Sequence, residues 1–230
     1  MEGETLASHG FLRSRGMRFP RDPQIIRGKL RRLLRQDAYE AKETEAALRV
    51  VREGDVVVEL GGGIGYMSTL VALRRNVKAV HVFEANPLLI PYIEAVHAAN
   101  GVTTAHVTNA ILGPSAGHAD FYLREPMLGS SLQKLEGEAD PPSVRVEVLE
   151  ATATFDALGA SVLICDIEGA EVDLLPRLDL SGLRAAIVET HPQWIGPEGV
   201  NAVFRAFMDA GLAYYHRGSH GKVLAFRKDW

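Results

Sequence analysis

The sequence predicts an α/β protein in which a mostly parallel sheet carries helices on both faces. Residues 56–60 form an apolar run without alternation, which is typical of a strand buried on both faces. A glycine-rich turn at 61–65 follows this run and leads directly into a helical pattern. Strand and helix patterns then alternate along the chain, which indicates parallel strands joined by right-handed crossovers.

Each further element is predicted from its own periodicity and end signals. Apolar spacing predicts helices at 24–35 and 38–52, and Gly54 ends the second one. The expected order after the glycine turn is helix 65–75, strand 78–84, helix 87–99, strand 103–109, strand 161–166, helix 169–177, strand 183–190, helix 198–210, and strands 212–217 and 221–227. The last two strands are expected to close a seven-stranded Rossmann-like sheet as an antiparallel hairpin.

The region 112–150 interrupts this alternation. Residues 118–125 and 144–151 alternate like half-buried strands, and the polar segment between them is too long for a simple connection. We expect a β-hairpin-like insertion whose mobile tip covers the ligand-binding edge of the sheet. Residues 1–23 show no clear period and are expected to be weakly ordered. The predicted organisation is an N-terminal helical extension or lid at 1–37 and one domain at 38–230.

The composition is that of an ordinary globular chain with a sizeable core. Of the 230 residues, 47% are hydrophobic and 23% are charged. The single cysteine, Cys165, excludes an intramolecular disulfide and suits a reducing compartment. The sequence shows neither a membrane-span pattern nor a signal-peptide core, so we expect a cytoplasmic location. It gives no prediction of the oligomeric state.

The net charge of -4 conceals an asymmetry between the start of the chain and the remainder. Residues 1–35 contain nine Lys/Arg and three Asp/Glu. Such a basic segment can contact an anionic substrate, a membrane surface or nucleic acid. We favour a segment that neutralises the acidic body, because the chain as a whole lacks the charge of a nucleic-acid-binding protein. The favoured partner is a small-molecule substrate.

The glycine turn is the first candidate binding element. Gly61, Gly62, Gly63 and Gly65 permit a tight turn and let a ligand approach the backbone, next to the N–H groups that begin a helix. The dinucleotide motif G-x-G-x-x-G would place its third glycine at Tyr66, which disfavours tight pyrophosphate packing. An acidic residue followed by G-x-G-x-G is similar to the motif of class I methyltransferases, which bind S-adenosylmethionine. A dinucleotide-dependent oxidoreductase is the alternative.

Acidic and polar residues near the ends of the first three strands are candidate cofactor contacts. Glu84 ends the second strand, where acidic side chains accept hydrogen bonds from ribose hydroxyls. Glu59, just before the glycines, is expected to hold the loop or the cofactor's ammonium group. The remaining candidates, assigned from the topology, are Tyr66, Ala85, Asn109 and Ala110.

A second group of candidate residues follows the fourth and fifth strands. Asp166 and Glu168 lie in one turn, and Glu189 and His191 lie in the next. Because these strand ends meet at one edge of the sheet, we expect the four residues to form a catalytic cluster there. Asp166 is also expected to contact the cofactor. His191 or Asp166 would remove a proton from an acceptor hydroxyl. Asp166, Glu189 and His191 could instead hold a divalent cation, an alternative that we do not favour because several class I methyltransferases need no metal.

These stretches together resemble the FkbM-type methyltransferases. The family order is matched by DVVVELGGGIGYMSTL, HVFEANP, SSL at 130–132, CDIEGAE and IVETHP, with further matches at 39–40 and 154–158. The match spans 38–193, roughly two-thirds of the chain. The resemblance implies an S-adenosylmethionine-dependent methyltransferase that transfers methyl to a hydroxyl oxygen of a sugar, polyketide or other metabolite. A non-catalytic relative that binds the cofactor is a further alternative.

The resemblance also assigns roles to individual residues. It places Glu59, Gly61, Gly63, Gly65 and Glu84 at cofactor positions, and Asp166, Glu168 and Glu189 in the acidic cluster. Two features depart from the family pattern: Glu59 stands where aspartate is usual, and three consecutive glycines stand where the family often has other residues. Residues 1–37 and the insertion tip lie outside the strong match and are expected to select the substrate.

Overall fold

A computed structural model describes residues 10–125, 130–132 and 141–229. Its centre is a seven-stranded sheet, in the spatial order β11 (Ala213–Tyr214), β12 (Val223–Arg227), β10 (Ala185–Glu189), β9 (Val162–Cys165), β3 (Val56–Leu60), β4 (Ala79–Phe83) and β5 (Ala105–Thr108). The five strands from β10 to β5 run parallel to one another, and β12 runs antiparallel to β10 and β11. The predicted seven-stranded α/β sheet with a closing antiparallel hairpin is confirmed.

The elements of this sheet follow the predicted order. The helices are α1 (Gly28–Arg35), α2 (Ala41–Val50), α3 (Tyr66–Arg75), α4 (Ile90–Ala99), α5 (Ala151–Leu158), α6 (Glu171–Leu174) and α7 (Pro192–Asp209). Helix α5 was not predicted, because its apolar pattern is short and no turn residues separate it from the preceding strand. Helix α7 begins earlier than predicted and contains non-helical backbone at Gly196.

Two apolar cores cover the two faces of the sheet. Successive strand side chains point to opposite faces, so Val57 belongs to one core and its neighbour Val58 to the other. Helices α2, α3 and α4 pack on the first face, and α5, α6 and α7 on the second. This burial on both faces explains why the strands read as continuous apolar runs.

The start of the chain forms a β-hairpin, so the prediction of a weakly ordered start is wrong for this part. Strands β1 (Phe11–Ser14) and β2 (Met17–Pro20) pair in antiparallel register. Arg15 and Gly16 join them with φ values of 46° and 81°, as a two-residue hairpin turn requires. The Tyr92 hydroxyl donates to the Pro20 carbonyl over 2.8 Å and anchors the hairpin to α4.

The insertion forms a second, three-stranded sheet. Strands β7 (Gly117–Tyr122) and β8 (Ser143–Glu150) are antiparallel, as the hairpin prediction requires, and β6 (Ile111–Gly113) pairs parallel with β8. The expected mobile tip falls largely at 126–129 and 133–140, which lie outside the described residues. In the part of the chain that the structure covers, we find no helix long and apolar enough to cross a membrane.

Candidate active site

The glycine turn between β3 and α3 is a close-packed backbone element. Gly61 has a φ of 87°, and a Cβ at this position would collide with the backbone carbonyl of Asp166. A Cβ on Gly62 would lie 2.5 Å from Val82 Cγ1. Only glycine fits where β3, β4 and β9 end so close together. The turn therefore presents bare backbone to the space above the sheet.

Glu84, at the end of β4, fixes the shape of this turn. Its Oε2 accepts a hydrogen bond from the Gly63 N–H over 2.9 Å, and its Oε1 accepts one from the Asn86 N–H over 2.7 Å. Burial raises the pKa of the Glu84 carboxyl, although the backbone N–H groups partly offset this effect. The carboxylate holds the turn open at the edge of a cleft.

The cleft lies between the glycine turn, the ends of β4 and β9, and the insertion. It contains about 1000 Å³ of empty space, including the part open to solvent. Its walls combine apolar side chains with a few polar groups, as in small-molecule sites. Of the predicted site residues, those lining it are Gly61, Gly63, Glu84, Ala85, Asp166 and Glu168. The insertion contributes Phe121, Ser130, Ser131 and Leu132 to the wall.

His191 is not among the residues that line the cleft, but it contacts two that do, Asp166 and Glu168, and a third carboxylate, Glu171. Its ring lies at the start of α7 and is buried, with a side-chain exposure of 3%. Nε2 lies 3.2 Å from Glu168 Oε2 and 3.6 Å from Asp166 Oδ1. Nδ1 and the backbone N–H both face Glu171 Oε1, at 3.3 and 2.9 Å. The ring of Trp194 stacks on the imidazole, with centroids 5.1 Å apart, so the imidazole is fixed from several sides.

Burial and mutual repulsion change the pKa values of these carboxyls. Burial raises the pKa of Asp166, and the negative charges of Glu189 and Glu168 raise it further. Burial also raises the pKa of Glu168, against the influence of His191. Burial acts on Glu171 in the same sense, but hydrogen bonds from His191 outweigh it and lower the Glu171 pKa. Glu171 is therefore the carboxylate that orients the imidazole, and Asp166 is the stronger base.

Asp166 is the member of the cluster that lines the cleft and has an oxygen without a hydrogen bond. This oxygen, Oδ1, is shielded from solvent, faces His191 Nε2 at 3.6 Å, and has no hydrogen-bond partner among the described residues. Left unpaired, a buried acceptor is costly. A donor from a bound molecule would satisfy it.

Glu189 lies beside the cluster and forms an ion pair with a lysine. Its carboxylate pairs with Lys222 Nζ, from the turn before β12. Asp166, Glu189 and His191 each offer one ligand atom, and these atoms all lie within 4.8 Å of one another. The three residues predicted as metal ligands are thus near enough to share an ion, in competition with the Lys222 ammonium.

Glu40 and Tyr39 are cleft residues for which no sequence pattern predicted a chemical role. Both line the cleft between α1 and α2. Glu40 has a φ of 44°, and burial raises the pKa of its carboxyl to about 8. The only sequence signal was the family match at 39–40, since nothing in a short polar turn indicates that it folds over a distant sheet edge.

Other predicted cofactor residues lie behind the cleft wall. Glu59 is buried within β3, where burial raises the pKa of its carboxyl. Tyr66 is buried between Phe19 and Tyr39, with ring centroids 5.7 and 5.2 Å away. Gly65 packs against Ile93. These residues support the glycine turn from below.

Asn109 and Ala110 do not line the cleft either. The Asn109 amide donates to the Glu84 carbonyl over 2.8 Å and to the Ala85 carbonyl over 3.1 Å, and so holds the turn after β4. Ala110 is fully buried in the core. The next two residues, Ile111 and Leu112, line the cleft instead. The expected strand topology therefore identified the right segment of the chain but not the residues that face the cleft.

Comparisons with known proteins define the class of fold. No protein-family model matches the sequence, and no curated protein matches it. Solved structures share the fold at low sequence identity. Trm5b from Pyrococcus abyssi is 13% identical with a TM-score of 0.51, covering 94% of this chain and 55% of its own. PH0793 from Pyrococcus horikoshii is 14% identical with a TM-score of 0.53, covering 94% of this chain and 70% of its own.

A third similar structure was solved with a bound ligand. TYW2 from M. jannaschii, solved in complex with AdoMet, is 12% identical with a TM-score of 0.51 and covers 94% of this chain and 82% of its own. This chain therefore spans about half of Trm5b and most of TYW2. The shared architecture is a Rossmann-like α/β sheet, as the sequence predicted.

Proposed function

We propose that this protein is an S-adenosylmethionine-dependent methyltransferase that methylates a hydroxyl oxygen. The observation that carries the proposal is that one cleft is lined by the glycine turn and Glu84 together with Asp166 and Glu168. The glycine turn and Glu84 suit a nucleoside-containing cofactor, and the adjacent carboxylates can remove a proton from an acceptor.

The residues around the glycine turn fit the cofactor. Gly61 and Gly63 offer backbone without side chains at the cleft, and Glu84 is an acceptor for hydroxyl groups beside them. The apolar side chains of Phe83, Leu89 and Leu112 also line this part of the cleft and suit a flat purine ring. The AdoMet bound in TYW2, which shares this fold, supports the same cofactor here.

The acidic cluster supports transfer to a hydroxyl group. When bound, the cofactor supplies an electrophilic methyl group on a sulfonium. Asp166, whose carboxylate lines the cleft, accepts the proton of the acceptor hydroxyl, while the acceptor oxygen bonds to the methyl carbon and the bond from that carbon to sulfur breaks. His191 positions Asp166 and Glu168 and is itself oriented by Glu171. The FkbM resemblance supports a sugar or other small metabolite as the acceptor.

Calorimetric titration of the folded protein with S-adenosylmethionine tests the cofactor. We expect saturable binding, with a matched titration of reduced nicotinamide dinucleotide giving none. Absence of binding at millimolar S-adenosylmethionine would overturn the proposal. Transfer is then followed with methyl-labelled cofactor and paired acceptors that differ only in carrying a hydroxyl or an amine. Label appearing only on the amine members would refute methylation of oxygen.

A further inference from the structure

The N-terminal hairpin and helix α1 carry a group of unpaired cations, which we call the basic surface. Arg13, Arg18 and Arg21 lie on or after the hairpin strands and are exposed. Lys29, Arg31, Arg32 and Arg35 are exposed on α1. Within residues 10–125, 130–132 and 141–229, none of these seven side chains has an ion-pair or hydrogen-bond partner.

The expected neutralisation of the acidic body is therefore not what these side chains do. Among the described residues, one ion pair joins this part of the chain to the body, between Arg27 and Glu125. Arg15 interacts within the N-terminal segment itself: its backbone N–H donates to the Asp37 carboxylate, and its guanidinium donates to the Asp37 backbone carbonyl. The remaining positive charge faces solvent.

The folded state brings these like charges together at a cost in stability. Arg13 and Arg18 are direct cross-strand partners in the hairpin, an arrangement that destabilises a strand pair when the charges are alike. On α1, Arg31 and Arg35 are one turn apart, and so are Arg32 and Arg35, with similar consequences. Bound anions would remove this repulsion.

The first turn of α1 adds a further unfavourable feature. Lys29 lies near the positive end of the helix dipole, the turn has no acidic residue, and no side chain caps the helix. A helix selected for stability alone would have the opposite charges here. The arrangement is favourable only if an anion is bound nearby.

The chemistry and extent of the surface indicate several phosphate groups. Six of the seven cations are arginines, whose planar guanidinium groups bind phosphate oxygens in pairs. The eight residues of α1 extend about 12 Å. Each strand of a duplex has one phosphate about every 3.4 Å of the duplex axis, so α1, aligned with that axis, would extend past three or four phosphates of one strand. A single phosphate would leave most of the surface unused.

A lipid surface fits these observations less well. Binding in a membrane interface needs an exposed apolar face beside the cations. Leu12, Met17, Phe19 and Leu34 of the hairpin and α1 are instead buried in the protein core. Phe11 alone among the large apolar side chains of the described hairpin and α1 is exposed, at 36%.

We propose that the basic surface docks the phosphodiester backbone of a nucleic acid beside the cleft. Tyr39 and Glu40, which line the cleft, follow Arg35 by only four and five residues, a chain span of at most about 18 Å. At the other end of α1, Arg27 contacts Glu125 of the insertion. The docking does not depend on the proposed methyl transfer, and a bound strand would pass the cleft mouth.

Fluorescence anisotropy with a labelled 20-nucleotide single-stranded RNA, and with a DNA duplex of equal length, tests the docking. We expect binding at 50 mM KCl that weakens steeply with salt. The variant R31Q/R32Q/R35Q should bind at least tenfold more weakly at 50 mM KCl. Its slope of log affinity against log salt on single-stranded RNA should be smaller by about two, because each lost contact removes about 0.7.

A matched variant, R177Q/R205Q/R217Q, removes three exposed arginines elsewhere on the protein and should bind like the wild type. Both variants should unfold at the wild-type temperature or higher, since neither loses a contact. No wild-type binding at 50 mM KCl, equal weakening by the two variants, or binding to vesicles with 30% anionic lipid but to neither nucleic acid would each overturn the proposal.

Calorimetry with S-adenosylmethionine separates the docking proposal from the proposed methyl transfer. Cofactor binding without nucleic-acid binding refutes only the docking, and nucleic-acid binding without cofactor binding refutes only methyl transfer.

Discussion

Glu40 is the residue whose ionisation links the cleft to stability. Its pKa is about 8 in the folded protein, mainly because of burial. A carboxyl with a raised pKa binds its proton more tightly when folded, so stability should fall as pH rises from about 4.5 through 8. We expect E40Q to lose part of this decrease, measured as the free energy of unfolding in urea at pH 5, 7 and 9.

The control for this prediction is Glu94, an exposed carboxylate on α4. The variant E94Q should keep the decrease between pH 5 and 9 that the wild type shows. If E40Q and E94Q gave the same pH dependence as the wild type, Glu40 would not be the titrating group.

Asp166 is the residue on which turnover should depend most. D166N retains the shape of the side chain but removes the proton acceptor, so we expect kcat to fall by roughly 100-fold or more. Because the raised pKa of Asp166 arises from burial and from repulsion by Glu189 and Glu168, D166N should not lower the unfolding temperature. Steady-state kinetics and thermal unfolding measure the two effects.

The pH dependence of the wild type provides an independent check on Asp166. Its acid limb in kcat should lie above the ordinary aspartate range near 3.9, because the pKa is raised and the carboxylate must be ionised to act. D173N, at an exposed position on α6, is the matched control and should retain the wild-type rate. Turnover by D166N within threefold of the wild type would rule out Asp166 as the base.

At the scale of the element, the glycine turn after β3 depends on close backbone packing. In G61A the new Cβ meets the Asp166 carbonyl while φ stays at 87°, so we expect a loss of roughly 3 kcal/mol in unfolding free energy. G101A has a φ of 66° but no neighbour within 4 Å of the new Cβ. It should lose only about 1 kcal/mol.

Urea unfolding of both variants separates the close approach of two chain segments from simple backbone strain. Equal losses in G61A and G101A would show that the contact with Asp166 contributes nothing. Because this turn also lines the cleft, cofactor binding should weaken in G61A and remain unchanged in G101A.

At the scale of the whole molecule, the charges are divided between an acidic cleft and a basic surface. The excess of carboxylates at the cleft is met partly by Lys222, which pairs with Glu189. Glu189 is one of the three possible metal ligands, and its carboxylate is already paired with the Lys222 ammonium. We therefore expect turnover without a divalent cation. Dialysis against EDTA should change kcat by less than twofold, as measured with and without added Mg²⁺ or Mn²⁺.

The outcome that contradicts this expectation is a large loss of activity in EDTA that Mg²⁺ or Mn²⁺ restores. In that case K222A should bind the cation more tightly than the wild type, because the competing charge is removed. Cofactor binding measured in EDTA serves as the control, since Glu84 and the glycine turn lie apart from the Glu189–Lys222 pair.

By itself the sequence determined the sheet and the location of the site. Continuous apolar runs such as Val56–Leu60 specify strands buried on both faces, and glycines at a strand end specify a backbone that must pack closely. These signals are local, so the order of elements and the residues Gly61, Glu84 and Asp166 could be predicted without coordinates.

Only the tertiary structure decided which side chains meet. Glu40 reaches the cleft although it precedes the seven-stranded sheet in the chain. Tyr66 is buried behind the wall, and Asn109 holds the turn after β4 instead of lining the cleft. The hairpin at 11–20 escaped prediction because its two four-residue strands are too short for a clear period. Such contacts join residues far apart in sequence, and their geometry depends on how the packed elements orient each side chain, which a one-dimensional pattern does not specify.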